Sequence, residues 1–291
     1  MTRGSIAVLL VLLNTICWFI PVLLAGLVKL LPVSMVRRAA NRVLVWAAEN
    51  WISGNGWIER FFNRGRTRWQ VTLPEGLRHE ESCFVVANHQ SWVDIFVLQR
   101  VFNRRIPFLR FFLKRELIWV PLLGIAWWAL DFPFMKRHSR EYLERHPERR
   151  GDDMRTTIRA CEKFRHRPVA IMNFLEGTRF REHRHAQQAS PYRHLLKPRA
   201  GGMAFALQAM NGSIRTLLDV TIVYRPQRIG LWDLFAGRIN EITVNVRRVE
   251  LPAQFLQGDY ENDPQWREAF QAWLRELWAA KDAEIERISR S

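Results

Sequence analysis

The sequence predicts an α/β fold, a sheet flanked by helices, behind an N-terminal membrane-embedded pair of helices. Three observations carry this. The chain opens with a long uncharged apolar run. From Arg68 onward, short β-rich runs alternate with longer helical stretches. Two polar clusters follow directly after apolar strands, where α/β sheets usually place their chemistry. With 291 residues, 48% hydrophobic and 25% charged, there is material for a full core, and a disordered chain is excluded. Three cysteines make neither a disulfide framework nor a zinc-site spacing. The chain shows no internal period of a solenoid, and it lacks the several long apolar spans of a polytopic transporter.

The first element is the run Ile6 to Val28, 23 residues without a formal charge. At ~1.5 Å per residue it reaches across a ~30 Å hydrocarbon core. A cleaved signal peptide has a shorter apolar stretch, about 7–15 residues, and no convincing small-residue cleavage site follows here. A retained membrane helix is expected, with Pro21 as a possible kink. Arg3 precedes it, and Lys29, Arg37, Arg38 and Arg42 follow, which places the bulk of the protein on the cytoplasmic side. The second stretch, Met35 to Phe62, mixes Trp46, Trp51 and Trp57 with Arg37, Arg38, Arg42 and Arg60. Tryptophans suit the membrane–water interface, although an ordinary packed helix fits nearly as well. Asn63 to Thr67 reads as a polar break. The expected division is 1–65 for the membrane-associated helices and 66–291 for the α/β domain.

Strands are expected at Trp69–Leu73, Cys83–Ala87, Pro133–Met135, Val169–Phe174, Val220–Tyr224 and Ile242–Val249. Helices are expected at Trp92–Phe102, Trp119–Leu130 and Asp152–Phe164. A last helix starts at Asn262-Asp263-Pro264, an N-cap followed by proline at the first helical position. Its Trp266, Phe270, Trp273, Leu274, Leu277 and Trp278 recur at helical spacing, a stripe expected to pack into the core. The net charge of +16 is concentrated in the middle of the chain, because the segment from Asp259 onward is net acidic. Such a field favours anionic partners. No zinc finger, RNP-type motif or helix-turn-helix points to nucleic acid.

Two clusters carry chemistry. Asn88-His89-Gln90-Ser91-Trp92-Val93-Asp94 follows the apolar strand ending at Ala87 and opens a helix. From the first helical turn, Asp94 can reach back to one imidazole nitrogen of His89 and leave the other free to take a proton. Ser91 reads as a helix cap. Alone, this pair would pass for a capping contact. The second cluster, Phe174-Leu-Glu-Gly-Thr-Arg179, also follows an apolar strand. Gly177 permits close approach, Thr178 supplies a hydroxyl, Arg179 offers a fork matched to phosphate oxygens, and Glu176 can accept from a hydroxyl or brace a cation. The bland alternative is a turn closed by a Glu176–Arg179 pair. A base and an anion clamp together are harder to dismiss. His183 and His185, in an Arg-rich loop, read as solvated rather than as metal ligands.

In this order the two clusters resemble the first and third motifs of the 1-acylglycerol-3-phosphate acyltransferase (PlsC-like) family. Lys114-Arg-Glu116-Leu117 with Pro121 and Gly124, then Phe134-Met-Lys-Arg137, Lys197-Pro-Arg-Ala-Gly201 and Asp219-Val-Thr-Ile-Val-Tyr224, resemble the family's intervening, second, post-third and fourth motifs. The resemblance spans roughly Trp69 to Pro226, and its N-terminal helices and basic insertions look most like a bacterial YihG-like branch related to lysocardiolipin acyltransferases. Two positions depart from the pattern. Asp131 stands where the family's second motif starts with glycine, and the fourth motif lacks its proline-rich form.

The resemblance implies the mixed sheet of the glycerolipid acyltransferase fold and direct acyl transfer from an acyl thioester. His89 would be the general base, and Asp94 its orienting partner. Arg137 and Arg179 would hold the acceptor's phosphate, with Gly177 and Thr178 beside them and Glu176 bracing the acceptor or Arg137. The implied acceptor is lysophosphatidate, making phosphatidate. Remodelling of another lysophospholipid is the alternative within the same chemistry, and a non-enzymatic basic membrane anchor that binds anions is the alternative outside it. The implied donor is acyl-CoA or acyl-carrier protein, with no cofactor and no metal. Anionic membrane lipid is the further expected partner, at a bacterial inner membrane with the site facing the cytoplasm.

Overall fold

The computed structural model describes residues 2–135, 145, 152–162, 164, 167–227 and 229–290. Two long helices lead: α1 (Thr2–Val28) and α2 (Ser34–Asn63). They are followed by β1 (Arg68–Thr72), β2 (Cys83–Ala87), α3 (Val93–Phe102), β3 (Leu109–Phe111), β4 (Leu113–Lys114), α4 (Leu123–Ala129) and β5 (Phe134–Met135). β6 (Ala170–Asn173), β7 (Thr216–Arg225) and β8 (Glu241–Glu250) complete the strands, and the chain closes with the helix Pro264–Arg290. The main sheet runs β1-β8-β7-β2-β6-β3. β7, β2, β6 and β3 are parallel, β8 is antiparallel to β7, and β1 is parallel to β8, so the sheet is mixed.

β2 is buried along its whole length, as a central parallel strand covered on both faces should be. Side chains alternate between the faces. Val85 and Ala87 join Met172, Val220, Ile222 and Tyr224 under α2 and α3. Phe84 and Val86 join Ile171, Leu217 and Val223 beneath the helices Gly201–Met210 and Pro264–Arg290. The expected stripe of the last helix lies here, with Phe270, Leu274 and Trp278 buried. Its start is the expected one: Asp263 Oδ1 accepts the N–H groups of Gln265 and Trp266, both at 3.0 Å.

α1 does not project away from the α/β layer. Near its start, Gly4 packs on Trp232 and Ala236, and near its end Gly26 packs on Ala129. Lys29 Nζ then donates to the Ala129 carbonyl and pairs with Asp131, each at 2.8 Å. Its outer face leaves Leu9, Leu13, Ile16, Ile20 and Leu24 exposed. Arg3–Val28 is long and apolar enough to cross a membrane. On α2, Trp46 and Trp57 are exposed, while Trp51 turns inward and its indole N–H donates to Thr15.

Several expectations need correction. The helix expected at Trp119–Leu130 is two pieces, a 3₁₀ turn Arg115–Trp119 and α4. Pro121 and Leu122, with φ of 62°, break it. The chain then doubles back so tightly that a Cβ on Gly124 would collide with the Ile118 carbonyl oxygen. Asn63 is no part of a polar break: it ends α2, buried, with its amide donating to the Leu234 carbonyl at 2.7 Å. β7 is twice the expected length, because Thr216 and Asp219, which precede the expected strand, are buried within it and find partners there. The expectation passed over β3, β4 and the short helices Glu182–Gln188, Gly201–Met210 and Leu231–Phe235.

Candidate active site

Three neighbouring strands, β2, β6 and β7, point their C-terminal ends the same way, and each delivers one polar group to a single place. Asn88 ties the first end to the third. Its amide donates to the Ile222 carbonyl and accepts the Ile222 N–H, both at 2.8 Å. The next residue, His89, is fixed on three sides. Its backbone N–H donates to Glu176 Oε1 at 2.8 Å, its carbonyl accepts from Phe180 N–H at 2.7 Å, and its ring stacks on Phe174 with centroids 3.8 Å apart.

Asp94 is fully buried on the first turn of α3. Its Oδ2 lies 2.8 Å from His89 Nδ1 and also accepts the N–H groups of Gln90 at 2.6 Å and Ser91 at 2.9 Å. Both amides and the carboxylate favour the tautomer with hydrogen on Nδ1, leaving Nε2 to accept a proton. No described residue bonds Nε2. Oδ1 accepts the phenol O–H of Tyr224 at 2.6 Å. Burial and the adjacent carboxylate hold that phenol well above the usual tyrosine range, so it remains a donor. Ser91 is placed as its capping reading expects: its hydroxyl accepts from Val93 N–H at 3.2 Å and donates to the Ile229 carbonyl at 3.1 Å.

The second cluster forms a tight turn after β6. Gly177 has φ of 68°, a left-handed conformation in which glycine carries no Cβ penalty. Glu176 is fully buried, with Oε1 on the His89 N–H and Oε2 on the Leu196 N–H at 2.9 Å, so it braces the His89 backbone. Burial pushes its carboxyl up to about 8, while the two backbone donors and Lys281 pull the other way. Glu176 faces these two backbone N–H groups inside the core and forms no pair with Arg179, the bland alternative. Arg179 instead lies over the exposed Trp92 ring, 4.9 Å from its centroid, on the same side of the turn as α3. Thr178 takes a hydrogen bond from Arg184 on its hydroxyl oxygen. Arg137 lies outside the described residues.

A cleft of about 700 Å³ opens beside this cluster, lined by Gln90, Phe180, Arg181, His183, Tyr224 and Ile229. His185 turns away and bonds the Tyr192 carbonyl at 2.6 Å. Cys83 is no nucleophile, since burial pushes its thiol up to about 12. At Asp131 the departure from glycine has a structural counterpart. The residue has φ of 62°, and its carboxylate pairs with Lys29 at 2.8 Å and Arg167 at 2.7 Å. Tyr224 is the polar contact that sequence reading missed. A phenol hydroxyl near the end of a buried strand needs a partner, which was the available signal.

The arrangement is a partly buried imidazole, oriented by Asp94, whose Nε2 has no partner among the described residues, with the next residue, Gln90, lining a cleft. Residues 68–225 match the family model described as Acyltransferase. The 1-acyl-sn-glycerol-3-phosphate acyltransferase gamma of Mus musculus is 28% identical over 218 residues, which is 70% of this chain and 52% of that protein. The delta enzyme of Homo sapiens is 25% identical over 229 residues, 73% of this chain and 54% of the relative. The chain thus spans about half the length of these curated relatives. The crystal structure of the 1-acyl-sn-glycerophosphate (LPA) acyltransferase PlsC from Thermotoga maritima shares the fold, with a TM-score of 0.53, 17% identity, and coverage of 94% of this chain and 95% of that one. With its site on the matched strands, and more than half its residues within the family model, this chain belongs to the acyltransferase family.

Proposed function

We propose that this chain moves a fatty acyl group from an acyl thioester, on coenzyme A or an acyl-carrier protein, to the sn-2 hydroxyl of 1-acylglycerol-3-phosphate, making phosphatidate. The observation that carries the reading is the His89–Asp94 pair, 2.8 Å apart, at the end of β2, with Nε2 unbonded among the described residues. Nε2 takes the hydroxyl proton as the glycerol oxygen attacks the thioester carbonyl, and Asp94 stabilises the imidazolium. As the tetrahedral intermediate collapses the C–S bond breaks, and the sulfur leaves as a thiol, taking the proton from His89. Arg179 holds the acceptor's phosphate in this reading, with Arg137 as the second cation. The site binds its donor and acceptor as substrates and needs no metal or other cofactor.

The same reading assigns the membrane. α1 is about 40 Å long, and its contacts tie both of its ends to the α/β layer. A helix tied at both ends to one domain embeds lengthwise in a leaflet and leaves the whole chain on one side, here the cytoplasmic side. Anionic lipid faces the basic residues around it. The apolar slot lined by Trp18, Val22, Trp51, Phe108, Trp127 and Phe132 between α1, α2 and α4 would admit acyl chains from that leaflet.

The test is the full chain reconstituted in lipid and supplied with labelled acyl-CoA or acyl-carrier protein and a panel of lysophospholipids. Phosphatidate should dominate the products. The His89→Ala variant should lose about 10²–10⁴-fold or more in turnover while remaining folded. Preference for another lysophospholipid would move the chain to remodelling. Near-normal turnover by the folded His89 variant would sink the catalytic assignment.

A further inference from the structure

We infer that Tyr224 is a positioning residue of this site: its hydroxyl holds the Asp94 carboxylate and thereby sets the orientation and basicity of His89. The inference rests on the reading of His89 as general base. β7 turns Leu218, Val220, Ile222 and Tyr224 to the face under α3, so the phenol arrives from the strand neighbouring the one that carries His89. Its oxygen lies 2.6 Å from Asp94 Oδ1, and Tyr224 is 1% exposed. The three other donors to Asp94, from His89, Gln90 and Ser91, all converge on Oδ2. Among the described residues, Tyr224 is the sole hydrogen-bond partner of Oδ1. Without it, a carboxylate oxygen would be buried and unpaired, and the group could pivot about the crowded Oδ2.

The electrostatic consequence has a definite sign. A phenol donating to Oδ1 draws negative charge away from the side facing Nδ1, which lowers the affinity of His89 for its second proton. The other charged groups around the pair have partners elsewhere and leave Oδ1 to Tyr224. Glu176, from the turn after β6, bonds the His89 backbone. Lys281, from the last helix, pairs with Asp219 at 2.5 Å beneath β7. Arg179 lies over Trp92. None of them is bonded to Oδ1.

Tyr224→Phe in the reconstituted full-length protein keeps the ring and removes the donor. The expected result is a kcat reduced about 10- to 100-fold, with KM for both substrates within about twofold. The acidic limb of kcat/KM should also move upward by roughly half to one pH unit. A tyrosine that only fills the core predicts an earlier thermal transition with neither kinetic change, and that outcome would overturn the inference. Replacing Tyr224 with 3-fluorotyrosine covers the case in which the phenylalanine variant fails to fold. It keeps the shape and strengthens the donor, so the limb should move down, and an unmoved limb counts against the assignment. If His89→Ala kept its turnover, the proposed function would fall first. If His89→Ala is inactive and both Tyr224 substitutions leave the pH profile in place, only this inference fails.

Discussion

At the scale of single residues, Arg179 and Glu176 illustrate how far a motif can be read. Both were visible as chemistry-bearing side chains after a strand, but direction was not. Arg179 stays half-buried over Trp92, without an ion pair among the described residues, whereas Glu176 turns inward onto two backbone N–H groups. Arg179→Lys keeps the charge and loses the fork, so KM for lysophosphatidate should rise roughly 10- to 150-fold, with KM for the acyl donor little changed. Two-substrate kinetics decides this, and equal shifts in both constants would remove Arg179 from the acceptor's phosphate. Glu176→Gln should act differently, because its carboxamide offers one acceptor oxygen for two backbone N–H groups. A loss of about 1–3 kcal/mol in stability and a lower kcat without a KM change are expected. Its titration adds a pH signature. The folded carboxyl sits near 8 against an ordinary 4.5. Its contribution to stability is therefore fully present below about pH 4.5 and is lost as pH rises through 8. Denaturant melts at pH 5 and pH 8.5 should show the wild-type stability, measured relative to the Gln variant, falling over that window.

At the scale of elements, β7 and the last helix are joined by charge inside the core. Lys281 is buried, pairs with Asp219 at 2.5 Å and donates to the Val220 carbonyl, while Arg247 from β8 meets the same aspartate. Burial pulls the Lys281 amine below its usual range, and Asp219 opposes that pull. Lys281→Met leaves the buried aspartate with Arg247 alone and should cost about 3–5 kcal/mol. A thermal melt followed by circular dichroism checks this, and a transition within a degree or two of the wild type would show the pair to be dispensable. Asp219, which cut the expected β7 short, is one of these partners. Local pattern penalises Asp219 in a strand, and only contact with Lys281 of the last helix and Arg247 of β8 makes its burial acceptable.

At the scale of the whole molecule, membrane attachment is testable without disturbing the fold. Ile16 and Ile20 lie one helical turn apart on the outer face of α1, 53% and 57% exposed. The double change Ile16→Asp and Ile20→Asp leaves the contacts with α2 and the α/β layer in place. Each buried aspartate costs about 2.5–3.5 kcal/mol in an apolar membrane segment. The variant should move from the membrane to the soluble fraction while its thermal transition persists. Salt-resistant retention would place the anchor on another surface, with Trp46 and Trp57 of α2 the first candidates.

The sequence by itself determined what depends on near neighbours along the chain. The uncharged run of α1, the alternation of strands and helices, the Asp263-Pro264 helix start and the spacing that lets Asp94 reach His89 are all properties of short segments. The tertiary structure decided everything that depends on which strand ends meet. His89 and Glu176 are 87 residues apart, and Asp94 and Tyr224 are 130 apart. Parallel strand pairing brings them together, and no local pattern encodes which strands pair or which way a carboxylate points once buried. The same holds for α1: its length and apolarity are written in its residues, but its course along the domain follows from contacts at Trp232, Ala236, Ala129 and Asp131.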